Sequence, residues 1–165
     1  MAKLPPYRLQ TLLDMRERAE EEAKNVFAKA MAQLHEEQRI QKEMEDELQR
    51  MIEDRKRRRK EYADKLASGE MKITDQASAY RFIDRMKEME QEQQGRIDGQ
   101  RENVREAEKL VKRAQDALIV ATQELKALLK HREKWAEEVL RERAIQEENL
   151  MDEIGQTIFS QNSRK

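Results

Sequence analysis

The stretch IDGQRENVREAEKLVKRAQDALIVATQELKALLKHREKWAEEVLRE, Ile97 to Glu142, decides the fold. Read in sevens, one set of positions holds Ile97, Val104, Val111, Leu118, Leu125, Arg132 and Val139. A second set, three residues on, holds Gln100, Ala107, Ala114, Ala121, Leu128, Trp135 and Glu142. An apolar repeat of about 3.5 residues keeps one narrow stripe of a helix turned towards another helix. Six of the seven positions in the first set are aliphatic, so the partner must be a second long helix. Three successive alanines in the second set predict a close approach of the facing backbone.

The composition agrees. Of 165 residues, 42% are charged and only three Phe, three Tyr and one Trp are aromatic, too few to fill a globular core. The abundant Glu, Lys, Arg and Gln are good helix formers, and the apolar residues are periodic, which separates this chain from disordered ones of similar polarity. Four Gly and two Pro leave few places to turn, so the expectation is one elongated coiled-coil domain over 1–165. A balance of 34 basic and 35 acidic residues sets up no overall field for nucleic acid or an anionic membrane. There is no Cys, as suits a reducing cytosol, and no apolar run of membrane-spanning length, so neither nucleic-acid binding nor direct membrane insertion is expected.

Along the chain, Pro5 and Pro6 hold the start extended, and helix one is expected over about 7–67. Its apolar or small positions are Leu9, Leu12, Ala19, Ala23, Val26, Ala30, Leu34, Met44, Leu48, Met51, Tyr62 and Leu66. Between Glu36 and Glu43 only Ile40 is apolar, which predicts a loose or skipped heptad. Ser68-Gly69 ends the helix, a turn is expected over 68–74, and Thr74-Asp75 reads as a helix start. Residues 75–95 are amphipathic but run into Gly95 and Gly99, each costing about 1 kcal/mol in a helix interior. They form either a short or bent tip helix, which matching of lengths favours, or the opening of one long helix. Helix two then covers about 96–160, with a frayed tail at 161–165. The fold class is all-α, a long antiparallel two-helix coiled-coil hairpin.

Little here can carry chemistry. His35 and His131 are the only histidines and stand apart from any second nitrogen ligand, so no metal or other cofactor is expected. Gly95-Arg-Ile-Asp-Gly99 lacks the spacing and the Lys-Ser/Thr of a phosphate loop, and two helices offer no concave pocket for catalytic carboxylates. No enzyme is expected. Arg55 to Lys60 are six consecutive cations, but Glu53, Asp54, Glu61 and Asp64 lie within helical reach and the run spreads around every face. It reads as solvated helix surface. Near the turn, Tyr80, Ile83 and Met86 can share one face while Phe82 diverges, so burying all four against helix one is difficult. These four are the candidate interaction residues of the tip.

Two terminal stretches carry a family resemblance. Leu4-Pro-Pro-Tyr-Arg-Leu-Gln-Thr-Leu-Leu-Asp-Met-Arg16 resembles the N-termini of the FliJ/YscO (SctO) family of type III secretion and flagellar export. His131-Arg-Glu-Lys-Trp135, Gln146-Glu-Glu148 and Met151-Asp-Glu-Ile-Gly-Gln156 resemble the C-terminal helix of its virulence-type members, the chlamydial one especially. The resemblance implies a central stalk in the bacterial cytoplasm, peripheral to the inner-membrane export apparatus. Such a stalk inserts its paired termini into a hexameric secretion ATPase, stimulates it, and links it to the export gate protein, with secretion chaperones as further partners. Exposed charges near the termini, Arg8, Arg16, Arg141 and Arg143, become the candidate ATPase contacts, and the tip residues would meet the gate. The competing reading is a structural or adaptor coiled coil with no ATPase partner, pairing between chains.

Overall fold

The computed structural model describes residues 4–164. Two α-helices, α1 (Gln10–Ala67) and α2 (Ile73–Asn162), pack against each other as a hairpin. Contacts divide the chain into two compact units. One comprises Met1–Asn25 with Asp116–Lys165, the other Val26–Gln115.

The seam read from Ile97 is the one that forms. Ile97, Gln100, Val104, Ala107 and Ala114 are buried, and Val111, Leu118, Ala121, Leu125 and Leu128 are half-buried. The same register runs backwards through Gln93, Glu90, Met86 and Ile83 to Ala79 and Gln76, all inward. Residues 75–95 are therefore the opening of one long helix. Gly95 and Gly99 fall at outward positions of this register, with open space where a Cβ would stand, so their helix cost is offset by seam positions on either side. Beyond Leu128 two expected seam members, Arg132 and Glu142, are exposed instead. Leu129, Ala136 and Arg143, each one residue further along, turn partly inward. The drift of a 3.6-residue helix against a seven-residue repeat has this direction.

In α1 the expected positions need correction. Leu12, Ala19 and Val26 are exposed, while Leu13 and Phe27 face in, Leu13 with no exposed surface at all. The inward set continues at intervals of three and four through Ala30, Leu34, Glu37, Gln41, Met44, Leu48, Met51 and Arg55, and resumes seven residues on at Tyr62. No heptad is skipped between Glu36 and Glu43. Polar side chains occupy the seam there.

The ends also differ from expectation. α1 begins at Gln10, because Tyr7 is drawn out of the helix and buried, and its carbonyl accepts the first amide bond from Gln10 at 3.1 Å. Gly69 closes α1 with a φ of 77°, the left-handed conformation that other residues adopt at a cost. Across it the Met71 amide donates to the Lys65 carbonyl at 3.2 Å. α2 starts at Ile73 with Asp75 in its first turn, passes through Gly155 without stopping, and reaches Asn162; Lys165 of the expected tail lies outside the described residues.

Candidate partner-binding surfaces

In the unit holding both terminal segments, the extended Pro5-Pro6-Tyr7 leads the Tyr7 ring onto α2. Its hydroxyl is hydrogen-bonded to Nδ1 of His131 at 2.6 Å, and its ring centroid lies 5.1 Å from that of Trp135, tilted by 51°. Trp135 is thus seam filler on one side and a docking face for Tyr7 on the other. The only sign of this cluster in the sequence is a single aromatic residue, Tyr7, near the start, and Trp135 four residues after His131 on the second helix. Of the candidate ATPase contacts, Arg8 and Arg141 are exposed. Arg16 sits at an inward position and pairs with Glu124 at 2.5 Å, beside a shallow hollow lined by Leu9, Leu12 and Leu128. Arg143 is half-buried and engaged.

Past Arg143 every described residue of α2 is exposed. Residues 144–162 carry four carboxylates and no Lys or Arg. At 100° per residue, Leu140, Ala144, Met151, Ile154 and Ile158 fall within one narrow sector of the helix. An isolated helix of that length is marginal in water, and such a stripe gains by being covered.

In the other unit, the four tip residues separate. Ile83 is 5% exposed and belongs to the seam, and Met86 is half-buried beside it. Tyr80, 55% exposed, and Phe82, 41% exposed, flank the seam on opposite sides. Tyr80 accepts a long bond from Gln76 (3.4 Å), whereas Phe82 lies 5.3 Å beneath the Arg58 guanidinium. Only these two of the four present substantial surface.

The cation run is partly consumed inside the hairpin. Arg55 faces inward and donates to Glu90 across the seam at 2.6 Å, with side-chain exposures of 16% and 13%. Asp54 pairs with both Arg57 and Arg58. Glu53, Glu61 and Asp64 pair with none of the run among the described residues. Sequence alone missed the polar layers beneath. Buried Gln93 donates to the Met44 carbonyl at 3.1 Å, and buried Gln100 to the Glu37 carbonyl at 2.9 Å and its carboxylate at 2.5 Å. Donors and acceptors are each seven residues apart, so one bond recurs in successive heptads. No buried side-chain polar atom lacks a partner among the described residues.

On the exposed surface, hydrogen bonds from Arg39 and Lys109 hold the Glu36 and Glu106 carboxyls below their usual range. No group of three or more His, Asp or Glu among the described residues could hold a metal ion, and no described helix is long and apolar enough to cross a membrane.

A family model described as YscO-like protein matches residues 4–165. The chain belongs to the YscO-like family. That makes it a structural component of type III secretion of the stalk type. Among solved structures, it is similar to a protein described as a YscO homologue, CT670, from Chlamydia trachomatis. The two are 24% identical, with a TM-score of 0.82, over 98% of this chain and 99% of that one. At this identity the likeness shows the fold alone: another YscO homologue is the same kind of helical hairpin. No curated protein matches the chain.

Proposed function

We propose that this YscO-like protein is the central stalk of a virulence-type secretion machine, working in the bacterial cytoplasm against the inner-membrane export apparatus. The unit with both terminal segments enters the hexameric export ATPase and raises its turnover; the turn-bearing end of the hairpin meets the export gate protein, with secretion chaperones as further partners. Beyond family membership, the observation that supports the ATPase end is the uncovered stretch of α2, residues 144–162, whose apolar stripe and acidic surround call for a partner. Two packed helices are about 20 Å across, a size that a ring's central opening can admit. Dense charges such as Arg8 and Arg141 can meet successive subunits without fixing the stalk to one.

The test is turnover of the purified export ATPase with and without this protein, and with a chain ending at Arg143. Full-length protein should raise turnover, and the shortened chain should lose most of that effect while keeping its own melting temperature. An ATPase indifferent to the full-length protein would remove the stalk reading. Equal stimulation by both chains would move the contact off the uncovered helix.

A further inference from the structure

We propose that one outward face of α2 near the turn, built on Arg81, Phe82 and Arg85, docks an acidic protein segment that inserts an apolar side chain; this rests on the reading that the turn-bearing end meets the export gate. In the register set by Ile83, Arg81, Phe82 and Arg85 occupy adjoining outward positions together with Ser78 and Met89. This is the side of the seam away from Tyr80.

Three observations give the face its character. The first is preorganisation. Phe82 stands under Arg58, whose Nε is held by Asp54 at 3.3 Å, so an aromatic ring and a guanidinium are fixed against each other before any partner arrives. The second is free positive charge beside an apolar group. Arg81 and Arg85 make no ion pair among the described residues, and with Ser78 and Phe82 they line one open hollow. A second hollow nearby is lined by Met51, Met86 and Met89 together with Asp54, whose charge is taken up by Arg57 and Arg58; the three methionines are adaptable side chains suited to receiving an apolar group. From Phe82 to Met89 the face runs about 10 Å along the helix. The third is local charge. Beyond the Arg55–Glu90 pair, residues 56–89 hold ten Lys or Arg against six Asp or Glu, although the whole chain is balanced.

The pattern favours a short protein segment over extended polyanions. Asp75 lies seven residues before Phe82 and Glu88 seven after Arg81, so acids bound the cationic centre at both ends. A continuous phosphate backbone or a lipid surface would run over those acids. A short acidic segment ends between them. Arginine and aromatic residues around a recess are also what protein interfaces concentrate at their energetic centre.

Binding of the purified cytoplasmic domain of the export gate to full-length protein tests this. The variants are Arg81→Glu with Arg85→Glu, Phe82→Ala alone, and Lys65→Glu with Lys72→Glu as an equal charge change off the face. The arginine pair and Phe82→Ala should each weaken binding about tenfold or more, with unchanged helicity and melting temperature, and the lysine pair by no more than about twofold. Wild-type binding with no loss in the arginine pair overturns the docking face but leaves the gate reading intact. So does an equal loss in the lysine pair. Absence of wild-type binding overturns the gate reading and this inference with it. Flotation with phosphatidylglycerol vesicles that the arginine pair abolishes, while gate binding persists, would make the face a lipid surface and overturn the proposal.

Discussion

At the scale of the residue, Tyr7 makes two separable contributions. Its hydroxyl shares one hydrogen bond with His131 and its ring covers Trp135. Tyr7→Phe keeps the ring and should cost about 1 kcal/mol. Tyr7→Ala removes both, should cost about 3 kcal/mol or more, and should shift the emission of Trp135, the only tryptophan, to longer wavelength. Ile83 and Phe82 are neighbours with opposite fates. Ile83→Ala opens a cavity in the seam and should lower stability by about 2 to 4 kcal/mol in denaturant unfolding, whereas Phe82→Ala should cost under about 1 kcal/mol. A joint truncation therefore unfolds the seam locally and cannot report on surface binding alone. Acid acts through exposed carboxyls. Glu36 and Glu106 are held below their usual range, so their contribution is present above about pH 4.3 and is lost only as pH falls through the lowered folded value. Helicity followed by circular dichroism should be flat from pH 8 to about pH 4.3 and decline below.

At the scale of the element, the two strands of the seam are unequal. That of α2 is mostly apolar and that of α1 carries Arg16, Glu20, Glu37, Gln41 and Arg55 at inward positions. This explains what was legible. The register of α2 could be read from its aliphatic residues between Ile97 and Leu128. Following apolar residues along α1 selected Leu12 and Val26, one position away from Leu13 and Phe27, because the true stripe is interrupted by polar members whose partners lie on the other helix. Such members specify register at a cost in stability. Replacing Gln93 and Gln100 together by Leu should raise the melting temperature and also produce species heavier than the monomer in light scattering, because an apolar seam accepts alternative partners. Unchanged mass with raised stability would mean the glutamines do not select the partner. For Arg55 and Glu90, removing the arginine alone strands a largely buried carboxylate and should cost about 3 kcal/mol, while Arg55→Met with Glu90→Leu should restore most of it.

At the scale of the whole molecule, the all-α hairpin was legible from periodicity and one glycine turn, whereas the secretion role came through resemblance, since heptads are common to many partners. The candidate surfaces were legible only in part. Whether a residue such as Ile83 or Phe82 is seam or surface depends on a one-step rotation about the helix axis that composition does not reveal. The uncovered end of α2 should show itself directly: in hydrogen exchange, amides of 144–162 should exchange far faster than those of 97–128, and should slow when the ATPase is added. The separation between contacting residues has its own consequence. Arg55 and Glu90 are 35 residues apart, Gln100 and Glu37 63, Arg16 and Glu124 108, and Tyr7 and His131 124. During synthesis the contacts near the turn become possible first. At roughly 5 to 20 residues per second, Tyr7 waits about 6 to 25 s for His131 to be made. Through that interval the start of α1 waits without its partner segment, and the charged residues scattered through its inward stripe should limit aggregation of the waiting chain.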